Sequence, residues 1–158
     1  MIKYNRENAI NYAQKFALSK NPKYYHFEGI GGDCTNFVSQ CILAGGAKMN
    51  YDKYYGWFYI NKDNRSPSWT SVKYFERFLL SSSSPGILAE ITPIDQLEIG
   101  DIIQIRQKEY GFNHTVIISK ITIDEIYVCS HSYDALDKPL SSYSYLELKG
   151  IHIIGFNE

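Results

Sequence analysis

The sequence predicts an α+β domain, with helices in the first half of the chain and an antiparallel sheet in the second. In the first half, apolar residues recur at spacings of three and four, which is typical of amphipathic helices. From Ile102 onward apolar and polar residues alternate, as they do in strands with one buried face. The chain has no internal repeats, and strands that follow helices rather than alternate with them favour an α+β arrangement.

The first helix is predicted to begin after Asn5, whose side chain is a good N-cap, and to continue to about Leu18. Asn21-Pro22 ends it, since the residue before a proline is disfavoured in helical geometry. The predicted buried face consists of Ala9, Ile10, Ala13, Phe16 and Ala17.

The second helix is predicted between the glycine pairs Gly31-Gly32 and Gly45-Gly46. Asp33 is the expected N-cap, and Gly45 is the expected left-handed residue after the last turn. The helical spacing predicts one buried face formed by Cys34, Phe37, Val38, Cys41 and Ile42.

Cys34 would lie in the first turn of this helix. The positive end of the helix dipole and the free backbone N–H groups there favour a thiolate, so we expect a lowered pKa for Cys34. The same N–H groups can donate to a developing oxyanion. The alternative is that Cys34 is simply a small buried apolar residue, as most free cysteines are.

An irregular, aromatic-rich segment follows at residues 47–68 and includes Trp57. Together with Tyr25 it is expected to form one wall of a cleft, although it could equally cover the core. A third helix is predicted after the Ser66 cap and Pro67. Its predicted buried stripe is Trp69, Val72, Phe75, Phe78 and Leu79.

The strands are predicted at residues 103–106, 114–121, 125–131 and 151–156. We expect the second and third of them to form a hairpin in which Lys120 pairs with Glu125. That register places His114 opposite His131, whereas a shift of one residue would place Ser130 or Ser132 near His114.

A nucleophilic cysteine needs a base to accept its proton and a polar group to orient that base. Cys34, His114 and His131 are the candidates for these three roles, with Asp134 as an alternative third group. The remaining histidines, His26 and His152, are interpreted as structural.

The length, charge and composition of the chain argue against several other classes of function. The chain has 158 residues, enough for a single domain over residues 1–158, and a formal net charge of −1 without a basic run. This argues against nucleic acid or an anionic membrane as a partner, and no apolar run is long enough to insert into a membrane. We expect a monomer.

The three cysteines have neither paired nor C-x-x-C spacing, so we expect no disulfide framework, metal or other cofactor. A four-ligand site formed by Cys34, Cys129, His114 and His131 is conceivable. The N-terminus lacks a signal-peptide pattern. We therefore expect either a cytoplasmic protein or a domain cut from an exported cell-wall protein.

The motifs together resemble those of the bacterial putative amidase domain family, which belongs with the NlpC-type and CHAP-type cell-wall peptidases. The resemblance extends over nearly the whole chain and rests mainly on Gly32-Asp33-Cys34-Thr35-Asn36-Phe37-Val38-Ser39-Gln40, Gly100-Asp101-Ile102-Ile103 and His114-Thr115-Val116-Ile117. It implies a papain-like core in which the N-terminal helices pack on a C-terminal antiparallel sheet or half-barrel.

The resemblance further implies a cysteine amidase or peptidase that acts on a peptide or peptidoglycan stem. Cys34 would be the nucleophile, His114 the base and His131 the third residue, while Asp33, Thr35 and Asn36 would contact substrate. Thr35-Asn36 replaces the Ser-Gly of the NlpC-type relatives, so their substrate preference does not transfer. Two alternatives stay open, namely an acyltransferase or transpeptidase that uses the same acyl-enzyme, and a non-catalytic module that binds the cell wall or a protein.

Overall fold

The computed structural model describes residues 1–28 and 32–158, so Gly31 of the predicted glycine turn lies outside the described residues. The described residues form helices α1 (Arg6–Phe16), α2 (Asp33–Ala44), α3 (Pro67–Thr70) and α4 (Val72–Leu79). Short 3₁₀ helices occupy Ile94–Gln96 and Leu140–Ser142. No helix among the described residues has the length and apolar character needed to cross a membrane.

The strands are β1 (Tyr59–Asn61), β2 (Asn64–Arg65), β3 (Gly86–Ile91), β4 (Ile102–Arg106), β5 (His114–Ile121), β6 (Ile126–Ser130), β7 (Ala135–Pro139) and β8 (Glu147–Asn157). Strands β1 and β2 form a separate hairpin, and the other six form an open antiparallel sheet in the order β3-β8-β4-β5-β6-β7. The predicted α+β class is confirmed, and the sheet is not closed into a barrel.

The two faces of the sheet carry different hydrophobic clusters. The helices cover one face, where Ile102 and Ile117 pack with residues of α2 such as Phe37. The opposite face holds a smaller cluster that includes Ile105 and Val116. Because side chains alternate along a strand, neighbouring residues of β5 contribute to opposite clusters.

The helical predictions are largely confirmed. Asn5 caps α1 by accepting a 3.0 Å hydrogen bond from the N–H of Asn8, and the helix ends at Phe16, two residues before the predicted end. All five predicted apolar residues of α2 are buried. Gly46, not Gly45, adopts the left-handed conformation after α2, with φ of 106°. The predicted third helix is divided into α3 and α4 at Ser71, which is extended and caps α4.

The predicted hairpin register is wrong. Lys120 pairs with Tyr127, and after an irregularity at Ser119 the register shifts so that Ile117 pairs with Cys129. The described pairing of β5 with β6 ends there, so His114 and His131 are not cross-strand neighbours. A bulge adds a residue to one strand and so shifts the register, and no pattern in this sequence predicts its position.

Candidate functional site

Cys34 lies in the first turn of α2, as the sequence predicted, but it is the second helical residue because the helix begins one residue earlier than predicted. Gly32 is at the N-cap with φ of 92°, and Asp33 is already helical. A Cβ atom on Gly32 would lie 2.4 Å from the carbonyl oxygen of Thr70. Both the positive φ and the close backbone contact therefore require glycine immediately before the Asp33-Cys34 turn.

The thiol of Cys34 is only 4% exposed, but its surroundings are polar. Its sulfur lies 3.8 Å from Oγ1 of Thr35, and the nearby hydrogen-bonding groups of Thr115 and Thr35 act to lower its pKa. Burial raises the pKa of Cys34 in spite of these groups. The predicted lowering of this pKa is wrong, because the loss of solvation outweighs the stabilisation of a thiolate at the helix terminus.

The side chain of His114 lies on the face of the sheet opposite α2. His114 pairs with Ile105 of the smaller cluster, whereas Oγ1 of Thr115 lies 3.0 Å from Oγ1 of Thr35 on the helical face. The imidazole ring is 6.2 Å from the ring of Tyr143. Among the described residues, no hydrogen bond joins this imidazole to the sulfur of Cys34.

His114 is nevertheless the residue immediately before Thr115, whose backbone lies near the sulfur of Cys34. It is 5% exposed, and burial, together with the charge of Lys138, lowers its pKa from 6.5 to about 4. Its ring is therefore neutral at neutral pH and able to accept a proton. The thiol and the imidazole are both uncharged in this state.

His131 forms a buried pair with Asp33. Its Nδ1–H donates to Oδ2 of Asp33 at 2.7 Å, and its Nε2–H donates to the carbonyl oxygen of Phe16 at 2.7 Å. Its ring stacks on Phe37 with 4.2 Å between ring centroids. Since both nitrogens donate to oxygen acceptors, the ring is an imidazolium.

The pKa values of this pair agree with that assignment. Burial alone would lower the pKa of His131, but the hydrogen bonds to Asp33 and Phe16 reverse the effect and the pKa is raised. Burial alone would raise the pKa of Asp33, but the hydrogen bonds from His131, Phe27 and Asn36 reverse it and the pKa is lowered. His131 thus connects the start of α2 to the end of α1, instead of contacting His114.

Two clusters of side chains have donor atoms close enough to surround a metal ion. The first is His26, Asp33 and His131, and the second is Glu98, Asp101 and His152. Their donor atoms are occupied by hydrogen bonds and ion pairs within the protein, including the 2.7 Å bond from His152 to Asp101.

The three residues of α2 that were predicted to contact substrate, Asp33, Thr35 and Asn36, form hydrogen bonds within the protein instead. Asp33 also accepts hydrogen bonds from the N–H of Phe27 and from Nδ2 of Asn36. Asn36 in turn accepts a 2.9 Å bond from Nε1 of Trp69. Asp33 and Asn36, like Thr35, are therefore part of the framework that holds the start of α2.

Trp57, expected in a cleft wall, is fully buried in the core instead, where its Nε1 donates to Oγ of Ser39 at 3.1 Å. Tyr25 is 42% exposed and lines a surface depression. Asp134 is exposed, and its charge contributes to the raised pKa of His131.

Lys138 and Tyr143, the residues that face His114, were missed by the sequence reasoning. Lys138 lies in β7 and Tyr143 follows the 3₁₀ helix after that strand. β7 has the sequence ALDKP and shows no regular alternation. Only the neighbouring Pro139-Leu140, a proline followed by a buried leucine, hints at an ordered segment.

Comparison with known proteins identifies the family. Residues 3–154 match the family described as Putative amidase domain, so the chain belongs to it. No solved structure matches the chain, and the expected relation to NlpC-type and CHAP-type papain-like peptidases stays a prediction.

Two relatives come from Bacillus subtilis (strain 168). Uncharacterized protein YhbB is 38% identical over 121 residues, covering 74% of this chain and 37% of the relative. Uncharacterized protein YjcM is 26% identical over 144 residues, covering 86% of this chain and 32% of the relative. The chain therefore spans about a third of the length of these relatives.

Proposed function

We propose that this member of the Putative amidase domain family hydrolyses an amide or isopeptide bond, with Cys34 as the nucleophile and His114 as the base. The observation that carries the proposal is the position of the Cys34 sulfur. It lies in the first turn of α2, 3.8 Å from Oγ1 of Thr35 and near the backbone of Thr115, the residue that follows His114.

His114 must change its position before it can act as this base. Its side chain lies on the face of the sheet opposite α2, and rotation about its first torsion angle does not carry the ring across the strand. The proposed reaction therefore requires a local backbone rearrangement at the start of β5, where His114 is the first residue. Substrate binding must also uncover the sulfur, which is 4% exposed.

The raised pKa of Cys34 and the lowered pKa of His114 favour a neutral thiol and imidazole in the resting protein over a thiolate–imidazolium pair. The proton of the thiol would pass to His114 as sulfur bonds to the carbonyl carbon. His114 would then protonate the leaving amine as the C–N bond breaks, and later take a proton from the water that hydrolyses the thioester. The N–H of Cys34 would donate to the oxyanion.

We propose a peptidoglycan peptide as the substrate. The support for this substrate is the resemblance of the motifs of this chain to those of cell-wall peptidases. In this mechanism His131 is a positioning residue, since it contacts Asp33 next to the nucleophile and does not contact the base.

The test is digestion of purified muropeptides, with new amine termini identified by mass spectrometry. Cys34→Ala is expected to reduce the rate by about a thousandfold or more. Cys41→Ala and Cys129→Ala are matched controls, because both residues are also buried free cysteines and their variants should retain activity.

His114→Gln is expected to reduce the rate by about a hundredfold or more, with His152→Gln as its control. Hydrolysis by Cys34→Ala at the unmodified rate would contradict the proposed nucleophile. Failure of the unmodified chain to cleave any muropeptide would contradict the cell-wall substrate. Transfer of the acyl group to an added amine would identify an acyltransferase instead.

A further inference from the structure

A surface depression of about 650 Å³ lies beside the start of α2. One wall is the segment before the nucleophile turn, including Lys23, Tyr25 and His26, and the other is the β1–β2 hairpin, including Tyr59 and Lys62. Lys20 extends the first wall. These lysines are not among the predicted catalytic residues, and they lie outside the predicted hairpin that contains His114 and His131.

We propose that this depression binds the carboxylate groups of a peptide substrate and holds the peptide next to Cys34. The inference rests on the proposed function and names the substrate class for the same site. It follows from the charge of the depression, from the absence of internal partners for its lysines, and from its connection to α2.

The charge of the depression is distinctly positive. Its lining residues include Lys20, Lys23 and Lys62 but neither aspartate nor glutamate, although the chain as a whole has a net charge of −1. Two carboxylates contact a lining residue, and both contact His26: Oδ2 of Asp33 lies 3.2 Å from its Nδ1, and Oε2 of Glu28 lies 3.5 Å from its Nε2. The local excess of cations favours an anionic ligand.

The three lysines have no internal counter-ion. Within residues 1–28 and 32–158, no carboxylate lies within 4 Å of Lys20, Lys23 or Lys62 in an ion pair. Lys62 instead lies over the ring of Tyr25, 5.4 Å from its centroid. Their ammonium groups are thus available to a ligand, with tyrosine faces beside them for its apolar parts.

The wall of the depression is bonded directly to the residues that flank the nucleophile. The N–H of Tyr25 donates to the hydroxyl of Tyr59 at 2.8 Å, and the carbonyl of Tyr25 accepts a 2.9 Å bond from Nδ2 of Asn36. Nδ1 of His26 lies 3.2 Å from Oδ2 of Asp33. Tyr25 and His26 therefore connect a peptide held in the depression to the start of α2, although no described residue of α2 lines the depression itself.

A peptide is a better match than a nucleic acid. The depression has no arginine, and isolated lysines do not provide the bidentate contacts typical of phosphate recognition. Free carboxylates along a short peptide suit separate ammonium groups. The adjoining site is also proposed to act on amide bonds.

The experiment measures binding to full-length Cys34→Ala by titration calorimetry, so that no turnover is needed. The probes are the peptide L-Ala-γ-D-Glu-L-Lys-D-Ala with free carboxylates and the same peptide with every carboxylate amidated. We expect the free acid to bind about tenfold more tightly and the difference to shrink at high salt. A ten-residue oligothymidylate is the competing polyanion and is expected to bind more weakly than the free acid.

Charge variants locate the binding site. Lys23→Gln and Lys62→Gln in the same background are each expected to weaken binding of the free acid by about fivefold, the upper end of what one exposed ion pair contributes. Lys108→Gln is the matched control, because Lys108 is exposed in the turn between β4 and β5 and does not line the depression.

Equal affinity for the two peptides, no binding of either peptide, unchanged affinity in both depression variants, or tighter binding of the oligothymidylate would overturn the proposal. The result is distinguishable from a failure of the proposed catalysis. Selective binding by an enzyme whose hydrolysis does not depend on Cys34 would support this binding site and contradict the nucleophile. Loss of hydrolysis in Cys34→Ala, without preferential binding of the free-acid peptide, would support Cys34 as the nucleophile and contradict this binding site.

Discussion

Replacement of His131 by alanine tests the role of the buried pair at the start of α2. The variant removes two 2.7 Å hydrogen bonds, to Asp33 and to the Phe16 carbonyl, and a ring that stacks on Phe37. It leaves the carboxylate of Asp33 buried without its cationic partner. Removing one member of a buried ion pair typically costs about 3–5 kcal/mol.

We expect a loss near the lower end of that range, about 3 kcal/mol in the free energy of unfolding, because Asp33 keeps other donors. The N–H of Phe27 and the amide of Asn36 still bond to its Oδ1. The partly exposed His26 also lies 3.2 Å from its Oδ2.

His152→Ala is the matched control. Its Nδ1 forms a bond of the same 2.7 Å length to Asp101, but the ring is 21% exposed. Asp101 also keeps the guanidinium of Arg6 at 2.8 Å and the N–H of Ile153 at 3.0 Å. We expect this variant to lose about 1 kcal/mol, as for a partly exposed pair.

Urea unfolding at pH 6, followed by far-ultraviolet circular dichroism, measures both free energies, and equal slopes against urea establish that the two transitions are comparable. The expected order is a clearly larger loss in His131→Ala than in His152→Ala. Equal losses, or a loss below about 1 kcal/mol in His131→Ala, would refute the assignment of His131 as the connection between α1 and α2.

Three further measurements test the charge states in and around the site. The pKa of His114 is lowered from 6.5 to about 4 in the folded protein. Acidification from pH 6.5 to 4 should therefore reduce the free energy of unfolding by roughly 3 kcal/mol, at 1.36 kcal/mol per pH unit. Urea unfolding at a series of pH values measures this dependence, and His114→Gln should abolish it. The raised pKa of His131 should act in the opposite sense at higher pH, whereas the lowered pKa of Asp33 should act in the same sense as that of His114 but at lower pH. Because the pKa of His131 is raised, its contribution to the free energy of unfolding is complete below pH 6.5 and is lost as the pH rises through the folded-state pKa. The contribution of Asp33 is present above pH 3.8 and is lost as the pH falls through its lowered folded-state pKa. A His131→Ala variant with the same dependence of stability on pH as the unmodified chain would contradict this. Finally, the raised pKa and burial of Cys34 should make its alkylation by iodoacetamide at neutral pH slower than that of a small thiol, and peptide mapping of the alkylated protein would reveal the opposite result.

Much of the helical framework could be predicted from the sequence, because local signals determine it. The side chain of Asn5 and the apolar spacing of α2 act within a few residues, and both predictions are confirmed. The first strand of the hairpin, His114–Ile121, has the predicted bounds because its apolar residues bury both faces near the centre of the sheet.

The relative positions within the site could not be predicted in the same way. The register of β5 against β6 depends on an irregularity at Ser119, which no local pattern marks. The pKa of Cys34 depends on how deeply the sheet and the helices bury it, a property of the whole fold. β3 and β7 were missed because they lie at the two edges of the sheet, where short strands have weak alternation.

The most direct test of the central claim is covalent capture of the acyl group on Cys34. The chain would be mixed with excess substrate peptide, quenched in acid within one turnover, and analysed by intact mass and peptide mapping. The account predicts a thioester adduct on Cys34, which accumulates further in His114→Gln if deacylation is slowed more than acylation, with Cys41 and Cys129 unmodified. Hydrolysis that proceeds without any adduct on Cys34, in unmodified chain and in Cys34→Ala alike, would contradict it.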